Sequence, residues 1–89
     1  MIYKVRFTKQ ALKTLEKLDK PTAALILGWI KKNLENTINP FIHGKALLGD
    51  LKGAWRYRIG DYRLICHIIN EELIVLVLRM GHRKDIYDL

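Results

Sequence analysis

Arginine is unevenly spread along this chain. The first 54 residues hold one, Arg6, among many lysines, whereas Arg56, Arg58, Arg63, Arg79 and Arg83 crowd into the remaining 35. A guanidinium is a planar fork that matches phosphate oxygens two at a time, while an ammonium is a flexible point charge. Forks gathered in one segment suit a polyanion, and RNA above all. Gly81-His82-Arg83 sets an imidazole, the side chain that titrates near neutrality, beside the last fork, and Tyr87 follows four residues after Arg83. If that tail is helical, Arg83 and Tyr87 share a face. An aromatic there can stack a splayed-out RNA base while its phosphate is gripped, or simply pack the C-terminus onto the protein.

Spacing sharpens the point. With Gly60-Asp61 as a two-residue turn between strands, Arg58 sits directly across from Arg63, and Arg56 shares their face by strand parity. Like charges placed opposite each other in a sheet are destabilising. Asp61 falls in the turn and Glu71 and Glu72 at the far end of the next hairpin, so no neighbouring carboxylate is expected to offset the cluster. The competing reading is a solvated, polar outer sheet face; the missing carboxylates favour a bound anion.

Other chemistries find little support. No carboxylate pair, Gly-rich phosphate loop or metal-ligand spacing is present, so no metal or cofactor is implied. His82 is the histidine nearest the cluster and a possible proton carrier. His67 shares strand parity with Arg63 but is four residues away, and His43 falls in a loop. Lys9, Lys13 and Lys17 form a stripe on a predicted helix; with Lys45 and Lys52 they are candidate RNA contacts, or a solvated face. Cys66, the only cysteine, lies in an apolar stretch and reads as a core residue; a single thiol excludes an internal disulfide.

The elements that must carry these residues can be outlined from periodicity. Ile2 to Phe7 alternates as a strand. Thr8 is a helix N-cap, followed by Ala11, Leu12, Leu15 and Leu18 at helical spacing to about Asp19-Lys20. Pro21 opens a second helix whose buried stripe is Ala23, Ile26, Leu27, Ile30 and Leu34, closed by Asn36 to Pro40. Phe41 to Gly53 reads as loop, its Leu47-Leu48 pair turned toward the core. Strands follow over 55–59, 62–69 and 73–80, with Asn70 to Glu72 as the second turn. Gly81 is expected to break the last strand, and Arg83 to Asp88 to form a short helical turn. The class is α+β: an N-terminal strand, a two-helix hairpin, then a three-stranded antiparallel meander completing one sheet.

Composition agrees. Eighty-nine residues make one domain, 1–89, and 49% hydrophobic content supports a modest core. The formal charge of +7 favours acidic partners: nucleic acid, an anionic surface or an acidic protein. No apolar run is long enough to cross a bilayer and the N-terminus lacks a signal peptide's apolar core, so a cytoplasmic protein without membrane contact is expected.

Lys45-Ala46-Leu47-Leu48-Gly49, Trp55-Arg56-Tyr57-Arg58, Tyr62-Arg63-Leu64-Ile65 and Gly81-His82-Arg83 with Tyr87 together resemble the RelE toxins of the RelE/ParE superfamily, over the whole chain. The resemblance implies a single RelE-like toxin domain: a metal-independent, ribosome-dependent endoribonuclease (mRNA interferase) that cuts mRNA in the A site and is silenced by an acidic RelB-like antitoxin. It implies that Arg63 and Arg83 stabilise charge at the scissile phosphate and that Tyr87 helps orient and activate the substrate. Arg56 and Arg58 fall where a well-known relative has two active-site lysines; arginine holds charge there but gives up protons reluctantly. The alternative is a ParE-like toxin that inhibits DNA gyrase without a catalytic site; a plain nucleic-acid-binding module is a third. The constellation of four arginines and Tyr87 favours the nuclease.

Overall fold

The computed structural model describes residues 1–86. Strand β1 (Lys4–Phe7) leads into helix α1 (Lys9–Lys17) and helix α2 (Lys20–Asn33), then strands β2 (Gly44–Ala46), β3 (Trp55–Ile59), β4 (Tyr62–Ile69) and β5 (Ile74–His82). The five strands form one sheet in the order β1-β5-β4-β3-β2, with β1 parallel to β5 and the other pairs antiparallel. Among the described residues, no helix is long and apolar enough to cross a membrane.

Local chemistry sets the helix boundaries. The Thr8 hydroxyl accepts from the Ala11 N–H (3.1 Å) and donates to the Leu78 carbonyl (2.9 Å), so the cap of α1 is fastened to β5. Asp19 caps α2, accepting from the Thr22 hydroxyl (2.8 Å) and the Thr22 N–H (3.2 Å); these bonds hold its carboxyl below the usual value. Pro21 takes the first turn and Asn36, at φ 65°, turns the chain out of the helix. Ile26, Ile30 and Leu34 are buried at four-residue intervals. Leu27, expected in the same stripe, is 41% exposed, because one residue of helix turns it about 100° off that line.

Helix α1 lies against β5 and β1, and α2 against β3. Between helices and sheet Ile26, Ile30 and Leu34 meet Tyr57, Ile59, Leu64, Cys66, Val75, Val77 and Met80. The Tyr57 hydroxyl donates to the Pro40 carbonyl. Burial pushes the Tyr57 phenol up, with a smaller contribution from Cys66, and burial likewise pushes up the Cys66 thiol, confirming it as a core residue.

Four features depart from expectation. Part of the presumed loop pairs as β2, with Gly44 opposite Tyr57, Lys45 opposite Arg56 and Ala46 opposite Trp55. A 3₁₀ turn at Gly49–Leu51 follows it, Leu47 packs inward and Leu48 stays 84% exposed. Leu73, at φ 55°, belongs to the turn before β5. Gly81 does not break β5 but pairs with Arg63 inside it, where its lack of a side chain lets Ile86 pack closely overhead. Beyond it the chain enters a turn at Arg83 to Asp85; the outer part of the expected C-terminal helical turn lies outside the described residues.

The outer edge of β1 is closed. Tyr3 donates its N–H to the Thr37 carbonyl (2.8 Å) and accepts from the Asn36 N–H (2.9 Å). The Val5 N–H donates to the Glu35 carboxylate (3.3 Å), and its carbonyl accepts from the Arg6 guanidinium (2.9 Å). An edge with its polar groups occupied offers little template for another strand.

Candidate nucleic-acid interface

Strand alternation turns Tyr57, Ile59, Leu64 and Cys66 toward the helices and Arg56, Arg58, Arg63 and Ile65 to the opposite face. Two rows of paired residues cross that face. Lys45, Arg56, Ile65 and Arg79 form one, across four strands; Arg58, Arg63 and Gly81 form the other. Arg58 therefore stands directly opposite Arg63, as the two-residue turn requires, and Gly60 supplies the positive φ (58°) of that turn. A bulge between Ile65 and Cys66 shifts the register with β5. Near it Ile65, Leu78 and Ile86 join Ala54 and Leu47 in a second apolar cluster. This face is thus not wholly polar: apolar side chains share it with the arginines.

The forks differ in setting. Arg58 is exposed, whereas Arg56 keeps only 9% of its surface. Arg63 bends to the turn, its Nη1 donating to the Gly60 and Tyr62 carbonyls (2.9 Å each). Arg83 reaches the same turn: its N–H donates to the Asp61 carbonyl (2.7 Å) and its Nε stands 3.7 Å from the Asp61 carboxylate. Asp61, expected to offset none of Arg56, Arg58 and Arg63, is a partner of Arg83. The two forks assigned to a scissile phosphate converge on one turn, 20 residues apart in sequence.

The β2–β3 edge adds a cleft of about 260 Å³ lined by Ile42, His43, Gly44, Lys45, Arg56 and Arg58. Sequence reasoning treated His43 as uninformative and could not place Lys45 beside Arg56, because both depend on the pairing of β2.

The matching protein-family model is the one described as ParE toxin of type II toxin-antitoxin system, parDE, over residues 5–87. Toxin RelG of Mycobacterium tuberculosis is 38% identical over 87 residues, covering 98% of each chain. A RelBE toxin–antitoxin complex from the same organism is similar at TM-score 0.84 and 35% identity, covering 96% of this chain and 95% of that one. An archaeal RelE–RelB complex from Pyrococcus horikoshii is similar at TM-score 0.69 and 26% identity, covering 93% and 97%.

The chain belongs to the RelE/ParE family of type II toxins.

In this RelE-type toxin His82 does not join the arginine face. It pairs with Tyr62, meets that ring edge-on at 5.6 Å, and its Nδ1 accepts from the Lys84 N–H (3.2 Å). The remaining acidic hydrogen of a neutral His82 ring therefore sits on Nε2. His67 is exposed further along β4, opposite Leu76. Lys9, Lys13 and Lys17 are exposed on α1, on the helical side of the sheet, and Lys52 lies in the exposed segment before β3. None of these four lysines lines the cleft. Tyr87 lies outside the described residues. Among the described residues, no group of three or more His, Cys, Asp or Glu could hold a metal ion.

Proposed function

We propose that this RelE-type toxin is a ribosome-dependent endoribonuclease that cuts mRNA in the A site and arrests translation. The observation that carries the reading is the cross-strand pair of Arg58 and Arg63, with Arg83 brought to the same turn. Cleavage of RNA by its own 2′-hydroxyl needs in-line alignment, charge stabilisation on the phosphorane and proton transfer. Arg63 and Arg83 supply the second, from positions fixed before substrate arrives. Arg58, exposed beside Arg63, adds charge on the same phosphate. Tyr87 orients and activates the nucleotide, as the family resemblance implies.

Among the described residues, the arginine face carries no strong general base. His82 is turned to Tyr62 and engaged by Lys84, and arginine is protonated at any physiological pH. Ribosome and substrate must then complete alignment and proton transfer, which is why naked RNA should survive. The toxin works in the cytoplasm, without a metal or cofactor. Its silencing partner is an acidic RelB-like antitoxin, suited to a chain of charge +7. Because that complex buries apolar as well as charged surface, moderate salt should weaken it without dissolving it.

The test is primer extension on mRNA incubated with purified toxin, naked and on programmed ribosomes, beside a DNA gyrase supercoiling assay. Cuts within the reading frame on ribosomes alone are expected. Equal cleavage of naked RNA would sink ribosome dependence, and gyrase inhibition without cuts would replace the nuclease with the ParE-like activity.

A further inference from the structure

We propose that the cleft at the β2–β3 edge is a second phosphate site, in which Arg56 and Lys45 hold the phosphate next to the one that is cut, and that Arg56 acts there by binding rather than by proton transfer. The anion site stands on the geometry; that its occupant is a nucleotide chain rests on the nuclease reading.

Arg56 is nine-tenths buried, and no acceptor contacts its guanidinium among the described residues. Arg56 lines the cleft, so a ligand there meets a charge whose stem is already held by packing. That ligand must be an anion, because every ionisable side chain of the lining is basic: His43, Lys45, Arg56 and Arg58. Lys45 stands directly opposite Arg56 across β2 and β3, as Arg58 stands opposite Arg63 across β3 and β4. Two successive like-charged pairs would each destabilise the sheet unless anions lie over them.

The spacing calls for two anions and not one. Arg56 and Arg58 lie two residues apart on one strand, roughly 6.6–6.8 Å along it. That is the scale of one nucleotide step in an extended single strand. One phosphate therefore falls to Arg58 and Arg63, and its neighbour to Arg56 and Lys45. At about 260 Å³ the cleft is smaller than the usual pocket of a drug-sized ligand, which suits a phosphate with part of its sugar. Ile42, 66% exposed, and the His43 ring, held edge-on against Trp29 at 6.2 Å, form a rim on which a sugar or base can rest. Gly44 fixes the arrangement: a Cβ there would stand 2.5 Å from the Arg56 carbonyl oxygen, so only glycine brings β2 close enough to set Lys45 over Arg56.

The test pairs binding with turnover. Inorganic phosphate titrated into the full-length toxin, followed by NMR, should shift the Arg56 Nε and His43 ring signals saturably. Lys45→Gln, an exposed substitution that spares the core, should weaken those shifts about ten-fold and leave the Arg83 signal alone. On programmed ribosomes Lys45→Gln and Arg56→Lys should raise the half-saturating concentration about ten-fold while the maximal rate falls less than about three-fold; Arg63→Ala should do the reverse. Shifts at Arg56 and His43 without any cleavage would keep the anion site and discard the nuclease. Absence of those shifts overturns the site whether or not mRNA is cut. A Lys45→Gln or Arg56→Lys defect confined to the maximal rate overturns the binding role.

Discussion

Arg63, in β4, and Arg83, in the turn after β5, meet at the β3–β4 turn, and each is held differently. Arg63 is anchored by two carbonyls of the turn itself, so its fork is oriented before substrate binds. Loss of one preorganised donor typically slows a reaction by roughly 10²–10³-fold, which is the expected effect of Arg63→Ala in single-turnover cleavage on ribosomes. Arg63→Lys should recover only part of it, because an ammonium cannot make the paired contact. Arg58→Lys should be tolerated or faster, since cationic neighbours lower a lysine's pKa and let it give up a proton. A severe loss in Arg58→Lys with Arg63→Lys intact would reverse those roles. Arg83 instead leans on Asp61, with both side chains more than half exposed. Such a pair contributes at most about 1 kcal/mol. Asp61 competes with phosphate for that fork, so Asp61→Asn should lower the half-saturating ribosome concentration by about two-fold or more while global stability holds. Weaker engagement of ribosomes by Asp61→Asn would mean that Asp61 positions Arg83 for phosphate instead.

At the scale of elements, β2 decides which residues meet, and glycine decides β2. A Cβ at Gly44 would collide with the Arg56 carbonyl and come within 2.7 Å of the Trp55 indole nitrogen, whereas one at Gly28, on the exposed side of α2, would meet nothing within 4 Å. The same Gly→Ala change should therefore have opposite signs. Gly44→Ala is expected to destabilise by about 1–3 kcal/mol through overpacking, and Gly28→Ala to stabilise by about 0.5–1 kcal/mol through helix propensity. Urea unfolding of the two variants reads both. The pair also shows what sequence could and could not carry. Thr8, Asp19-Lys20-Pro21 and the spacing of Ile26, Ile30 and Leu34 announce both helices by local chemistry. Gly60-Asp61 fixes the register that sets Arg58 against Arg63, because a hairpin's pairing follows from its turn. Three residues such as Gly44 to Ala46 have no period to detect, and their pairing partners, Tyr57 to Trp55, lie beyond an irregular segment. Gly81 reads locally as a breaker, and only the arrival of Ile86 above it explains why it continues the strand. The cleft was illegible for the same reason, since Lys45 and His43 reach Arg56 through β2 alone.

The whole molecule carries +7, and its core holds two weak acids that never meet water while it is folded: the Cys66 thiol and the Tyr57 phenol. Burial raises both above their unfolded values. Each group therefore keeps its proton more tightly when folded. The stability this provides is fully present below the unfolded pKa, about 8.5 for cysteine and 10 for tyrosine. It is lost as pH climbs past that value toward the higher folded one. Stability should thus be flat from pH 7 to about 8.5, then fall by up to about 1.4 kcal/mol per pH unit as the unfolded thiol ionises, and faster once the tyrosine follows. Lysine deprotonation acts the other way over the same range by relieving self-repulsion, so the wild-type curve alone mixes two effects. The difference between wild type and Cys66→Ala separates them, because every lysine is common to both. Cys66→Ala should be the less stable protein at pH 7, where it has lost packing, and the gap should narrow between pH 9 and 10 as only the wild type loses thiol linkage. Urea midpoints at pH 7, 9 and 10, with unchanged denaturant slopes, measure this. A gap that stays constant over that range would mean that the unfolded chain, too, shelters the thiol, and that core burial is not what global unfolding undoes at Cys66.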